Sequence, residues 1–420
     1  MMAKNQELEK SKRRILIVSQ HFWPESFRIN DISDFFVEKG YDIEVLCGLP
    51  NYPTGRLFDG YSIFRNRVQD HQKIHIRRAL EIPRGSNTSL RIFLNYVSFP
   101  LTSIGHIPRL LTKQFDSIFL YQTSPVLMTI AGILIGKIKK TETTMYVLDL
   151  WPENLYSVLP IRNHFLRSIA ENISVWHYKK TDKLIVLSER MKASIIEKTG
   201  KPESAVIVLP QSCEKIYETN IHDKNIADRF SKKFNIVFTG SITPAQSFDT
   251  LINAAAILKK QGFKDINWII VGDGMSRKQV EGAVNKAGLS AIFHFEGQKP
   301  IEDMPKYADI ADVLIGCLVK SDLLEATVPA KVMSYIALGK PLVLAMDGEV
   351  QELINNTIQC GFVGPTEDSK RLATNIQKVY NLPPKEREAM GKRGRKYHFK
   401  HFERSIILNK LVTFMSHKAV

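Results

Sequence analysis

The chain has 420 residues, 44% of them hydrophobic and 24% charged, which is room for two full cores and excludes a fibrous or disordered class. Lys and Arg number 58 against 43 Asp and Glu, a formal net charge of +15, so anionic ligands are favoured: phosphorylated substrates, a membrane face or nucleic acid. Four scattered cysteines (Cys47, Cys213, Cys317, Cys360) form no CxxC pair and no metal-ligand spacing. With no apolar signal segment at the start, a reducing, cytoplasmic setting is expected.

Residues 1–13 read as a flexible N-terminus. Short apolar runs then alternate with helical patterns, beginning with a strand at 15–20, a helix at 27–38 and a strand at 42–47. Further strands are expected at 73–77, 117–121, 144–148, 183–187 and 205–209. The series resumes at 234–239, 266–271, 291–295, 312–318, 342–346 and 360–363. Strands this apolar are buried on both faces, as in parallel sheets covered by helices. Two series predict two doubly wound α/β domains: 14–210, a polar linker at 211–233, and 234–384. A basic helical tail follows at 385–420.

Ligands of open parallel sheets bind at the carboxyl ends of the strands, so the loops there are the candidates for chemistry. The first loop offers His21 and Glu25, which either contact a sugar hydroxyl or, for Glu25, only complement a helix dipole. It lacks GxGxxG, which disfavours a nicotinamide or flavin dinucleotide there. The second, 49–55, is a stiff turn that presents Asn51 and Tyr52.

Between Glu81 and Asp116 no acidic residue occurs, while Arg84, Arg91, Arg109 and Lys113 stand among leucines, isoleucines and aromatics. That composition suits an interfacial membrane helix, or equally a core helix pair with exposed arginines. No apolar run approaches the ~20 residues needed to span a bilayer. Asp149 ends another strand beside Trp151, a pairing suited to sugar recognition or to capping the helix that Pro152 starts.

The second half concentrates helix starts that could hold phosphate. Gly240-Ser241, Gly272-Asp273-Gly274 with Arg277, and Gly348-Glu349 each follow a strand. Thr327–Pro341 carries the most informative signal. Pro329 opens a helix there, and Lys331 sits in its first turn, where free amides and the helix dipole already favour an anion. A lysine so placed suits a diphosphate leaving group. No Asp-x-Asp triplet, His cluster at ligand spacing or other catalytic signature accompanies it, so no metal and no cofactor is expected.

Taken together, the motifs at 49–55, 149–153, 271–274 and 328–341 resemble those of glycosyltransferase family 4. The resemblance is narrower to the bacterial surface-polysaccharide branch that includes N-acetyl-L-fucosamine transferases and a colanic-acid transferase. It covers the chain from Arg14 to about Phe402.

It implies a GT-B fold: an N-terminal acceptor domain, a C-terminal sugar-nucleotide domain facing it across a cleft, and a last helix that crosses back. By match to the family, Lys331, Asp149 and Glu25 would be catalytic. Gly240, Ser241, Gln246, Gly272, Gly274, Arg277, Thr327, Pro329, Ser334 and Glu349 would join Lys331 around the donor, and His21, Asn51, Tyr52 and Trp151 would line the acceptor side. Two departures stand out. A spaced glutamate pair common in the family is replaced by Ala326 and Ser334, with Glu325 out of register. The usual Arg…Lys pair after the first strand of the second domain gives way to 241–246.

The resemblance therefore implies a retaining, metal-independent transferase that moves a sugar, N-acetyl-L-fucosamine or another hexosamine, from a UDP-sugar. The acceptor would be an undecaprenyl-diphosphate-linked saccharide at the inner face of the cytoplasmic membrane, in O-antigen, capsule or exopolysaccharide synthesis. An anionic membrane surface is the expected partner and nucleic acid is not, since no nucleic-acid-binding signature accompanies the charge. The departures leave an alternative: a non-catalytic sugar-nucleotide-binding subunit of an assembly complex.

Overall fold

A computed structural model describes residues 13–416 apart from 53, 86, 87, 159, 160, 162 and 326. Of the expected flexible N-terminus, only Arg13 falls among the described residues. The chain forms two compact units, Met1–Leu209 with Leu408–Val420, and Pro210–Ile407.

The first unit is built on β1 (Arg14–Val18), β2 (Asp42–Cys47), β3 (Val68–His71), β4 (Ile74–Arg78), β5 (Ser117–Gln122), β6 (Thr143–Val147), β7 (Lys183–Val186) and β8 (Val206–Val208). They form one sheet in the order β3-β4-β2-β1-β5-β6-β7-β8. Every pairing is parallel except the β3–β4 hairpin. Ile15 to Val18 are all buried, as strands covered by helices on both sides must be.

β3 was not expected. It is polar, lies at the sheet edge, and turns into β4 through Gln72 and Lys73, both at positive φ (47° and 68°). Tight hairpin turns of that kind normally advertise themselves with Asn or Gly, and here neither is present.

The second unit holds β9 (Phe234–Thr239), β10 (Ile266–Val271), β11 (Phe293–Gly297), β12 (Val313–Cys317), β13 (Leu342–Ala345) and β14 (Gly361–Gly364). All are parallel, in the order β11-β10-β9-β12-β13-β14. Along β10 the side chains alternate between two cores. Ile266, Trp268 and Ile270 join one, and Ile269 and Val271 the other. Strand order reverses between β9 and β12 here, and between β1 and β5 in the first unit. Each reversal opens a crevice at the carboxyl edge of its sheet.

The stretch expected as a linker, 211–233, contains a 3-10 turn, Lys215–Glu218, and a helix, Lys224–Phe230. Phe230 is buried in the second unit's core, so burial of one aromatic ties this polar stretch to that unit. The tail divides. Helix Pro384–His401 packs on helix Ala330–Leu338 in the second unit, whereas the chain from Leu408 onward returns to the first.

There Leu408 and Leu411 are buried, and the Lys183 ammonium donates to the carbonyls of Phe414 (2.9 Å) and Met415 (3.4 Å) at the final helix's end. The same ammonium meets Glu142 at 2.7 Å in a side chain 3% exposed. Lys183→Ala is expected to lower stability by about 3 kcal/mol, read as a lower urea midpoint, because it strips Glu142 of its counter-charge. An unchanged midpoint would mean that the apolar face alone holds this helix.

Candidate functional site

In the second unit the loop after β9 and the end of β12 meet at Lys331. Pro329 caps helix Ala330–Leu338 with extended backbone (φ −58°, ψ 142°), and Gly339 ends it in the left-handed region (φ 71°). Tyr335 fixes the helix against the sheet: its hydroxyl accepts from the Thr239 amide at 2.8 Å and lies 3.3 Å from the Ile315 carbonyl.

The Lys331 ammonium consequently rests over the Phe238 ring, 3.6 Å from its centroid, and donates to Gln246 Oε1 at 2.5 Å. A Cβ on Gly240 would come within 3.0 Å of the lysine Cε and 3.2 Å of its Nζ, so the glycine makes room for the cation. Burial lowers the Lys331 pKa to about 7, slightly opposed by Cys317.

The glycines play a different part from the one expected. Gly240 N–H already donates to the Val271 carbonyl, Gly272 N–H to the Gly297 carbonyl, and Gly274 N–H to Asp273 Oδ1. A Cβ on Gly272, at φ +146°, would fall 1.9 Å from the Gly240 carbonyl oxygen, and one on Gly274 2.3 Å from that of Ile242. They pack two loops together behind Lys331, with their amides already engaged.

Arg277 opens its helix as expected, but Asp273 (2.9 Å) and Glu281 (2.8 Å) hold its guanidinium. Ser334 is buried and donates to the Ala330 carbonyl of its own helix (3.3 Å). Thr327 is half-buried just before the Lys331 helix, and Ser241 is exposed beside Gly240. Glu349 is half-buried at the start of a short helix behind Gly348, whose φ is +87°. Ala326 lies outside the described residues.

In the first unit His21, Glu25, Asn51 and Tyr52 come together. The Glu25 carboxylate accepts from the backbone amides of Asn51 (2.8 Å) and Tyr52 (2.7 Å), and its other oxygen sits 3.0 Å from His21 Nδ1. It is buried and saturated, so it organises the 49–55 loop and presents nothing to solvent. The Tyr52 ring, 41% exposed, is the accessible aromatic, with the Arg84 guanidinium 5.9 Å from its centroid.

Asp149 follows β6, two residues beyond its end. Desolvation raises its pKa to about 6 against hydrogen bonds from the Ser124 amide and Asn154 and the charge of Arg84. Trp151 corrects an expectation. It is 3% exposed, and its backbone amide donates to the Tyr178 hydroxyl at 3.1 Å, so it is core and not a sugar platform.

Residues 220–397 match the family described as Glycosyl transferases group 1. The chain is a glycosyltransferase. It is 22% identical over 397 residues, 88% of this chain and 93% of the other, to a protein named for colanic acid biosynthesis, the glycosyl transferase WcaI of Escherichia coli (strain K12). Among solved structures, sucrose-phosphate synthase from Thermosynechococcus elongatus matches with TM-score 0.74 at 14% identity, over 96% of this chain and 98% of that one. Anabaena Alr3699/HepE, solved with UDP and glucose, matches with TM-score 0.69 at 14% identity, over 96% and 99%. The fold is GT-B.

The matched segment of this glycosyltransferase contains Lys331 and all the loops around it. The first unit adds a cluster that sequence reasoning missed. Glu81 Oε1 accepts from Gln20 Nε2 (2.8 Å), Asn51 Nδ2 (3.1 Å) and Asn95 Nδ2 (2.5 Å), all four side chains buried. Its Oε2 is buried without a hydrogen-bond partner, and a Cβ on Gly48 would fall 1.8 Å from it. No local pattern announces residues this far apart; the only hint is a glutamate soon after a strand.

Among the described residues one group is close enough to share a metal ion: Cys213, Glu218 and His398. His398 Nε2 lies 3.0 Å from Glu218 Oε1 and 3.8 Å from Cys213 Sγ. Desolvation lowers the His398 pKa, and a neutral ring that donates to Glu218 accounts for the group without an ion. None of the three belongs to the loops around Lys331.

Burial is the main cause that raises the Glu81 pKa, helped by Glu25 and opposed by His21 and the amides. A carboxyl with a raised folded-state pKa binds more protons folded than unfolded, so its contribution is lost as pH climbs above the ordinary carboxylate range. Glu81→Gln keeps the three amide bonds and cannot ionise. Its stability relative to the parent is therefore expected to improve from pH 5 to pH 8 in thermal melts. Glu81→Ala, which leaves three buried amides without an acceptor, should cost about 2–4 kcal/mol. Equal pH profiles for Glu81→Gln and the parent would show that Glu81 does not titrate differently on folding.

Proposed function

We propose that this glycosyltransferase is a retaining enzyme that moves a sugar, N-acetyl-L-fucosamine or another hexosamine, from a UDP-sugar to a lipid-linked saccharide. It would work without a metal, at the cytoplasmic membrane face, in the synthesis of a surface polysaccharide. The observation that carries the reading is the Lys331 ammonium, desolvated at the carboxyl edge of the second sheet and neutralised by no carboxylate among its recorded partners. The names of WcaI, for colanic acid, and of HepE, with UDP and glucose, support the class of product and donor.

In this reading the bond from the sugar anomeric carbon to the diphosphate oxygen breaks, and a bond to the acceptor hydroxyl oxygen forms on the same face. The hydroxyl proton passes to the departing phosphate. Lys331 stabilises the charge that develops on the leaving group, a task at which a fixed cation in a dry site excels. Arg277 can help only if phosphate competes successfully with Asp273 and Glu281. Asp149 and Tyr52 face the acceptor, while Glu25 and Glu81 hold the loop that carries Tyr52.

A bound diphosphate restores the charge on Lys331 and so lifts its pKa from about 7. UDP binding should then take up protons at slightly alkaline pH, and affinity should fall as pH rises from neutrality to about 9. Isothermal calorimetry in buffers of differing ionisation enthalpy reads both. Lys331→Ala should flatten the pH dependence and cut turnover by roughly a hundredfold or more. Affinity that is pH-independent across that window, or near-normal turnover in Lys331→Ala, would place the diphosphate elsewhere.

Thermal stabilisation by UDP with and without EDTA tests the metal-free donor site. Saturation at about 100 times Kd adds ~2.7 kcal/mol, and a response abolished by EDTA sinks this part of the reading.

A further inference from the structure

Helix Ser89–Ile104 is apolar on both sides. Its inner face, Tyr96, Phe99 and Ser103, is buried, yet Leu90 (67% exposed), Phe93 (51%), Leu94, Leu101 (63%) and Ile104 recur at helical spacing on the outer face. A second such surface stands nearby. At the start of helix His164–Lys180 every residue from Asn163 to Ile169 is exposed, including Phe165 (72%), Leu166 and Ile169.

Both helices pack against the turn Val126–Thr129 and helix Ile130–Lys139, which follow β5. Right-handed crossovers place all three helices on one face of the sheet. Helices that follow parallel strands begin at the carboxyl edge, where Asp149 also lies. Exposed Leu90, Phe93 and Leu94 on one helix start and Phe165, Leu166 and Ile169 on the other therefore gather at the same edge of the first unit.

We propose that these two helix starts together form a bilayer-docking surface, with the first turns of helix His164–Lys180 as a second anchor beside helix Ser89–Ile104. The occupant is an anionic bilayer and not another protein chain, because charge accompanies the apolar groups with one sign. From Ile82 to Phe115 the sequence has no acidic residue, and at the two helix starts the exposed charged side chains are Arg91 on the first helix and Arg167 on the second; Arg109 and Lys113 follow the far end of the first helix, where Lys113 pairs with Glu44 at 2.6 Å. Leucine and phenylalanine flanked by arginine are what the headgroup–acyl boundary takes up.

The geometry also serves the acceptor. Asn95 and Tyr96, on the inner side of the first helix, touch the Arg84 group, whose charge opposes the burial-driven rise of the Asp149 pKa. One helix thickness, about 10 Å, then separates the bilayer-facing stripe from the acceptor loops. This inference rests on the membrane part of the proposed function.

The test is sedimentation of the full chain with phosphatidylglycerol-containing and pure phosphatidylcholine vesicles, at low and high salt. The parent is expected to bind the anionic vesicles and to be weakened by salt. The triple variant Phe165→Ser, Leu166→Ser, Ile169→Ser should lose at least about tenfold in partitioning, while its stabilisation by UDP stays as in the parent. Those residues are exposed, and the UDP response reports that the variant is folded.

A triple variant that partitions like the parent overturns the second anchor and leaves the membrane reading standing. A parent that ignores both vesicle types removes the membrane reading itself. If light scattering shows a dimer that the triple variant dissociates, the surface is an interface between copies of this chain and the proposal fails.

Discussion

Everything proposed for the second unit depends on one desolvated ammonium. Lys331 is held by packing: Tyr335 fixes its helix to β9 and β12, Gly240 and Gly316 leave space along its stem, and Phe238 lies beneath its charge. Its recorded hydrogen-bond acceptor is neutral, Gln246. Burial without a counter-ion costs folding free energy, and that cost is what makes the site want an anion. A diphosphate bound there, as proposed, would remove that penalty, so part of the cost would return as affinity.

Arg277 shows the opposite solution. Two carboxylates satisfy it, and it gains little from exchanging them for phosphate unless the exchange is geometrically better. The pair of basic residues thus divides into one poised charge and one stored charge. This bears on the family departure in the 241–246 loop. Where the resemblance leads one to expect a cationic pair, this chain places Gln246 against Lys331, so in the proposed reading the burden of charge would fall on a single lysine whose protonation pH controls.

Much of the fold was legible because parallel strands buried on both faces read as uninterrupted apolar runs, and β2, β9 and β10 fall at their expected limits. β3 was invisible because an edge strand need not be apolar. In the sites, Lys331 could be found from a local pattern, proline then lysine at a helix start. Trp151 was misread because sequence gives residue type and not exposure, and the indole is buried. The glycines signalled close approach correctly, but what approaches is another loop. Glu81 was missed because Gln20, Asn51, Glu81 and Asn95 meet only after three strands and a helix have assembled. Buried polar networks of this sort are tertiary facts.

That network ties down Asn51 and Tyr52 in a polar loop of the first unit. Glu25 takes two amides of the 49–55 loop and Glu81 takes its Asn51 side chain, so the turn that exposes Tyr52 is tied down from below by two buried carboxyls. Asn95, from helix Ser89–Ile104, is bound to the same Glu81. A displacement of that helix would therefore be felt first at Glu81 and then at Tyr52, through hydrogen bonds and not through a flexible hinge. Arg84 adds a second route, since it donates to Asn95 and lies over both Tyr52 and Tyr96. A helix whose outer face meets a bilayer and whose inner face holds these groups would couple membrane contact to the acceptor loop by direct packing.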